Sequence, residues 1–218
     1  MQMVKETVRK YYKYEIRPFT RPNLTHNGSV GYDEYACYAT NEYNDTRQAW
    51  KAFDEDTGYG YDLSWMGANT PVPKTIVFYS PNPIHVESLR IRNSTFDGNT
   101  GRHHIIDYTV RAADSLDDAI DGNILTFGSN SENGAGAYWD IDLSEQAIYV
   151  DSGYHKYWSL TSTTAALAGK NYVAVANIDF IDATQKVPVE STSSNYDFYK
   201  DIQIYKAVKS GSTYKAVN

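Results

Sequence analysis

The chain has 218 residues, with 20 Lys and Arg against 27 Asp and Glu, a formal charge of −7. That length allows one large β-domain or two small ones, and a composition of 41% hydrophobic, 22% charged and 14% aromatic residues is that of a folding chain rather than a disordered or fibrous one. An acidic balance without a dense Lys/Arg stripe lacks the footprint that nucleic acid and anionic membrane surfaces require, so both are excluded as partners.

Residues 1–20 are basic and tyrosine-rich, and their charges interrupt any apolar stretch that a signal peptide would need. The expectation is synthesis in a cytoplasm without export by that route. The single cysteine, Cys37, sits in Tyr35-Ala36-Cys37-Tyr38-Ala39 and reads as a small apolar strand residue. It rules out a disulfide framework and a cysteine-based zinc cluster within one chain. Residues 48–53 space Ala49, Trp50, Ala52 and Phe53 as a short helical piece, followed by the carboxylate-rich turn Asp54-Glu55-Asp56-Thr57. Strands are expected at 74–79, 85–93, 107–113, 138–143, 154–162 and 172–181 from their β-branched and aromatic alternation. Turns are expected at Ser80-Pro81-Asn82-Pro83, Phe96-Asp97-Gly98-Asn99 and Asn133-Gly134-Ala135-Gly136. Residues 115–120 suit one helical turn with Ser115 as N-cap and Asp118 three positions on. Residues 187–195 read as a polar linker. Beyond it Tyr205-Lys206-Ala207-Val208 recurs as Tyr214-Lys215-Ala216-Val217 around a Gly-containing turn, a small hairpin signature. Many short strands with turn punctuation predict an antiparallel sandwich or barrel.

From Arg21 to about Ala183 these segments resemble the discoidin domain, the coagulation factor 5/8 type C or galactose-binding-like family, in the form found in bacteriophage tail, fibre and other virion proteins. Arg21-Pro22-Asn23-Leu24-Thr25-His26-Asn27-Gly28 is similar to the opening of the phage versions. Ala49-Trp50-Lys51-Ala52-Phe53-Asp54-Glu55-Asp56 resembles the family's Ala-Phe-Asp-Gly-Asp helix and loop, and Trp65 falls where the family usually has a Trp. Residues 84–93 resemble the strand ending in Asn-Arg, Tyr108-Thr109-Val110-Arg111-Ala112-Ala113-Asp114 the Phe-Thr-Ile-x-Gly-Ser strand, and 173–180 the terminal Ala-Glu-Ile-x-Phe strand. The resemblance implies an all-β, discoidin-like jelly-roll β-sandwich at 21–187 whose loops at one end bind a ligand, most often a glycan. Residues 1–20 and 188–218 would then be short β extensions.

For glycan binding, the chemistry asks for an aromatic face against a sugar ring beside groups that read hydroxyls. The loops that could supply it carry Tyr43, Asn44 and Arg47; Tyr59, Tyr61, Asp62 and Trp65; and Phe96, Asp97, Asn99, Arg102, His103 and His104. Trp65 is expected in the core instead. A pair such as His103-His104 at a strand entry points one ring inward and one outward, which disfavours a shared metal, and no zinc-binding His spacing exists. In many glycan-binding members the acidic turn holds a structural calcium with help from a Glu in the last strand. On that reading Asp54, Asp56, Thr57 and Asn177 would be the ligands; the alternative is a solvated acidic turn.

No nucleophile elbow, phosphate loop or selectable carboxylate pair points to catalysis. The resulting expectation is a non-enzymatic bacteriophage virion component that adheres to host-surface glycan, requires no cofactor, and meets other virion proteins through its extensions as part of an oligomeric assembly. The alternatives are a carbohydrate-binding module of a bacterial glycan-degrading system and a purely architectural virion subunit that binds only protein.

Overall fold

The computed structural model describes residues 3–54, 58–94, 103–130, 132, 134–143, 153–164 and 171–207. In chain order the strands are β1 (Met3–Pro18), β2 (Ala36–Ala39), β3 (Trp65–Gly67), β4 (Lys74–His85), β5 (Ser88–Asn93), β6 (Asp107–Ala113), β7 (Thr126–Ser129), β8 (Tyr138–Asp142), β9 (His155–Ser162), β10 (Val173–Ile181), β11 (Thr184–Ser191) and β12 (Phe198–Ala207); the helix α1 spans Leu116–Asp121. The chain divides into a unit formed by Arg17–Gln185 and a second formed from Met1–Ile16 with Lys186–Asn218. Among the described residues no helix is long and apolar enough to cross a membrane.

The unit Arg17–Gln185 is a two-layered antiparallel sandwich. One layer runs β4-β9-β6-β7 with β2 added on β4, and the other runs β3-β10-β5-β8. Period-2 alternation decides which side chains meet between them. In the larger layer Ile76 pairs with Leu160 and Phe78 with Trp158, while Val110 and Ala112 stand opposite the same two β9 residues. In the smaller layer Ile178 pairs with Ile91 and Phe180 with Leu89, and these face Trp139 and Ile141. All of these are buried in one apolar cluster. Phe78 is its hub, with ring centroids 5.4 Å from Phe53 and 5.0 Å from Phe180. Trp65, at 0% exposure, closes the same cluster, as its sequence position predicts. The intervening residues of the smaller layer, Arg90, Arg92, Tyr138, Asp140, Asn177 and Asp179, register side by side on the opposite face.

Strand β4 is buried on both faces over its first seven residues. Its second face, Val77 and Tyr79, packs with Ala113 and Tyr157 under α1, whose Ala119 is fully buried. The cap of α1 is the expected one: Ser115 Oγ accepts a hydrogen bond from the Asp118 amide at 3.2 Å.

Two stretches differ from their sequence reading. Ser80-Pro81-Asn82-Pro83 does not end a strand; β4 continues through it as a bulge, and pairing with β9 resumes at Ile84↔His155. A bulge leaves residues outside the ladder, which suits prolines that have no amide to donate; Ser80 Oγ donates to Asn82 O at 2.6 Å across it. The expected linker at 187–195 is extended over much of its length, as β11 reaches Ser191.

In the second unit β1 pairs with β12 along Met3↔Ala207 to Tyr12↔Phe198, and β11 lies on the other side of β1. Tyr205–Ala207 therefore belong to the strand paired with β1, and the second copy of the repeat lies outside the described residues. Tyr12 stacks on its strand partner Phe198 at 5.3 Å, and Tyr11 meets Tyr196, just before β12, at a tilt with centroids 4.8 Å apart. Arg9 meets Asp201 through two bonds of 2.8 and 3.1 Å and lies 4.0 Å from the Tyr199 ring. None of the side chains described in this unit is buried.

Trp65→Ala is expected to cost about 3–5 kcal/mol of stability by denaturant unfolding, as for other buried aromatics. Tyr38→Ala, at an exposed position of β2, should stay within about 0.5 kcal/mol of the parent.

Candidate functional site

At one end of the sandwich, edge strand β3 pairs with β10 through Gly67↔Val173 and Trp65↔Val175, and the loop 41–47 is fastened to β3. The Tyr43 amide donates to Met66 O at 2.7 Å and the Met66 amide to Arg47 O at 3.2 Å. This places the Tyr43 ring, 40% exposed, edge-on to Tyr172, with centroids 5.7 Å apart and planes at 68°. The loop preceding β6 reaches the same point. The Ala174 amide donates to His103 O at 2.6 Å, and the His103 ring lies 5.3 Å from that of Tyr172.

Arg47 lies beside these rings. Its side chain is 7% exposed, its guanidinium lies 5.1 Å from the Tyr43 ring centre, and its Nη2 donates to Asp62 Oδ1 at 2.7 Å. Asp62 remains 75% exposed. A buried guanidinium is costly unless paired, so the pairing fixes an accessible carboxylate near an exposed aromatic face. At the other end of the 59–62 loop, Tyr59 is 42% exposed and lies 4.7 Å from Arg92, which is itself 4.8 Å from Tyr138. Gly136 is required there: its φ is +70°, and a Cβ would come within 2.8 Å of the Tyr59 ring. Asn93, 2% exposed, holds the turn that carries Gly136, donating to Glu132 O at 2.7 Å and accepting from Trp139 Nε1 at 3.0 Å.

The loop end contains two contributors that sequence reasoning missed. The expected strand 172–181 includes Tyr172, whereas β10 begins at Val173 and leaves Tyr172 as an aromatic at the loop end. Lys74 is fully buried, and its Nζ donates to Ala68 O and Asn171 O. It thereby ties the loop after β3 to the residue preceding Tyr172, a link repeated by the Asn171 amide, which donates to Asn69 Oδ1 at 2.9 Å. Burial lowers the Lys74 pKa from 10.5 to about 8. Between those values the unfolded chain binds more protons than the folded one, so this group's contribution to stability rises with pH through that window. The stability difference between wild type and Lys74→Met should therefore shift in favour of wild type from pH 7.5 to 9.5 by thermal unfolding; parallel curves would mean that Lys74 titrates normally.

The remaining sequence candidates divide by burial. Tyr43 and Tyr59 are exposed. Asn44 is exposed, but its Oδ1 is occupied by the Thr46 amide and hydroxyl at 3.1 and 2.9 Å. Arg47 is a buried support rather than a free reader of hydroxyls. His103 and His104 are 1% and 8% exposed and lie in a turn ahead of β6, not at its entry; the inward/outward alternation of a strand does not apply, and neither ring is presented to a ligand. Phe96, Arg102 and the side chain of Tyr61 lie outside the described residues. Cys37 is 2% exposed and burial raises its thiol pKa, which suppresses the thiolate a nucleophile needs.

The calcium reading meets a different arrangement. Asp56 and Thr57 lie outside the described residues. Of the expected oxygens, Asn177 Oδ1 is engaged by Arg21 Nη2 at 3.2 Å, and the same nitrogen donates to the backbone carbonyl of Asp54 at 3.3 Å. Among the described residues no group of three or more His, Cys, Asp or Glu is placed to hold a metal ion.

No family model matches the chain, and no curated protein matches it. Among solved structures it is similar to the family 32 carbohydrate-binding module of Clostridium perfringens NanJ in complex with galactose, at 16% identity over 67% of this chain and 92% of that one, with a TM-score of 0.50. It is similar as well to an F5/8 type C domain from Bacteroides fragilis, at 9% identity over 70% and 91% of the two chains and a TM-score of 0.50. A fucolectin from striped bass serum, Morone saxatilis, matches at 15% identity over 69% of this chain and 46% of its own, also at 0.50. The fold is a discoidin-like β-sandwich. At these identities the likeness carries the architecture, and the chemistry rests on the loop end itself.

Proposed function

We propose that the chain is a non-catalytic glycan-binding protein whose site is the loop end carrying Tyr43, Tyr172 and Asp62. The observation that carries this reading is an exposed tyrosine face set against a second ring beside a carboxylate fixed by a buried arginine. An apolar face and an oriented acceptor are what a polyol ring requires. The fold supports it, since the similar structures include a galactose-bound carbohydrate-binding module and a fucolectin. Tyr43→Ala and Tyr172→Ala should each weaken binding about tenfold in a glycan-array and titration assay. Asp62→Asn should weaken it further in proportion to the acceptor it removes, while Tyr43→Ala leaves the melting temperature nearly unchanged. A parallel loss of stability at Tyr43 would mean that packing has been mistaken for a site.

The finer reading places this binding protein in a bacteriophage particle, as an adhesion component of a tail, fibre or decoration. Its support is the resemblance of Arg21–Gly28 and the strands that follow to virion versions of the domain, and a second unit in which no described side chain is buried. A three-stranded sheet none of whose described side chains is buried gains little from folding alone, which suits a segment ordered by neighbouring subunits. The alternative, a module of a bacterial glycan-degrading system, is favoured by the likeness to the clostridial module. Native mass measurement separates the two. The virion reading predicts an oligomer that residues 17–185 alone do not form, and a monomer at both lengths would favour the module.

A further inference from the structure

We infer that the guanidinium of Arg21 is a built-in cation that takes the Asn177 oxygen which the calcium reading assigns to an ion, so that the entering chain, Phe53–Asp54 and β10 are joined without a metal. The side chain is 7% exposed, and its two terminal nitrogens are met by five oxygens. Nη1 donates to Pro22 O at 3.1 Å and to Phe53 O, and Nη2 donates to Asp54 O at 3.3 Å, Asn177 Oδ1 at 3.2 Å and Asp179 Oδ1 at 3.0 Å. Carbonyl, amide and carboxylate oxygens converging from separate segments are the donor set a hard cation such as Ca²⁺ takes. Here they converge on the planar donor fork of a guanidinium.

The charge count agrees with the geometry. The last strand contributes the neutral Asn177 and one carboxylate, Asp179, whose other oxygen accepts from Asn177 Nδ2 at 2.7 Å. One carboxylate pairs with the one guanidinium, and a divalent ion at the same oxygens would lie in contact with that fixed positive charge. The neutral residue at 177, which weakens a calcium site, is thus the appropriate partner for a monovalent cation. Arg21 also has the reach for the task, because the chain on either side of it is pinned: the Phe19 amide donates to Ala183 O at 2.8 Å and the Leu24 amide to Phe53 O at 3.0 Å. The guanidinium joins the entering chain, the turn after the 3-10 segment Ala49–Ala52 and strand β10 in one contact. This role is independent of what the loop end binds.

Thermal unfolding of the full-length protein tests it. The wild-type midpoint should be the same in EDTA and in millimolar CaCl₂, with equal MgCl₂ as the control for general ionic effects. Arg21→Ala should melt several degrees lower and recover part of that loss in CaCl₂ but not in MgCl₂, because removing the fork frees the oxygens for an ion that binds only the folded state. Arg21→Lys should fall between the two and stay insensitive to calcium. A wild-type midpoint that drops in EDTA or rises specifically with calcium would overturn the inference, as would an Arg21→Ala protein that is as stable as wild type or is destabilised without calcium recovery. Should Arg21→Ala fail to fold, the wild-type and Arg21→Lys arms decide by the same criteria.

Discussion

Buried cations, each collecting oxygens from loops that would otherwise end apart, are the interaction on which the rest of this sandwich depends. Arg21 gathers the entering chain, the turn after Ala49–Ala52 and β10; Lys74 gathers the loop after β3 and Asn171; Arg47, lying against the Tyr43 ring, pairs with Asp62. The facing layers supply the apolar driving force through Phe78, Phe180, Trp158 and Trp65, but a β-sandwich core specifies little about its loops. Loop carbonyls need partners when they are drawn in from water, and a long basic side chain can satisfy several at once. The apolar stem can be buried while the charge is met by oxygens.

The candidate site is held by two of these cation contacts together with backbone pairing. Tyr43 is held by backbone pairing to β3, Tyr172 by its position between Asn171 and the first pair of β10, and Asp62 by Arg47. None of the three needs a ligand to be in place, and a preformed site spends less of its binding energy on ordering. The second unit is built on the opposite plan, with aromatic and ionic pairs along β1 and β12 and no described side chain buried. Exposed ion pairs such as Arg9–Asp201 contribute little each, so cross-strand ring contacts carry that sheet.

Features governed by local periodicity were legible in the sequence. The strand 107–113, the start of the strand at Lys74, the strand body 173–181, the Ser115 cap and the buried Trp65 all follow from spacing and residue type, and they occur where expected. What resisted reading depends on which partner a polar side chain finds across the fold. Arg47, His103 and His104 look like surface readers because their types usually are, yet tertiary packing covers them. Lys74 gives no local sign that loop carbonyls will replace its water. Pro81 and Pro83 look like a strand end until the neighbouring β9 resumes pairing beyond them. Residues 187–191 look like a linker because their hydrogen bonds come from another part of the chain.

The most direct test of the central claim is to locate a bound glycan on the protein by following tyrosine ring resonances in a selectively labelled sample as sugar is added. The account predicts saturable shifts at Tyr43 and Tyr172, weaker ones at Tyr59, and none at Tyr11, Tyr12 or Tyr199. Binding that moves the tyrosines of β1 and β12 while Tyr43 and Tyr172 stay still would contradict it and place recognition in the second unit.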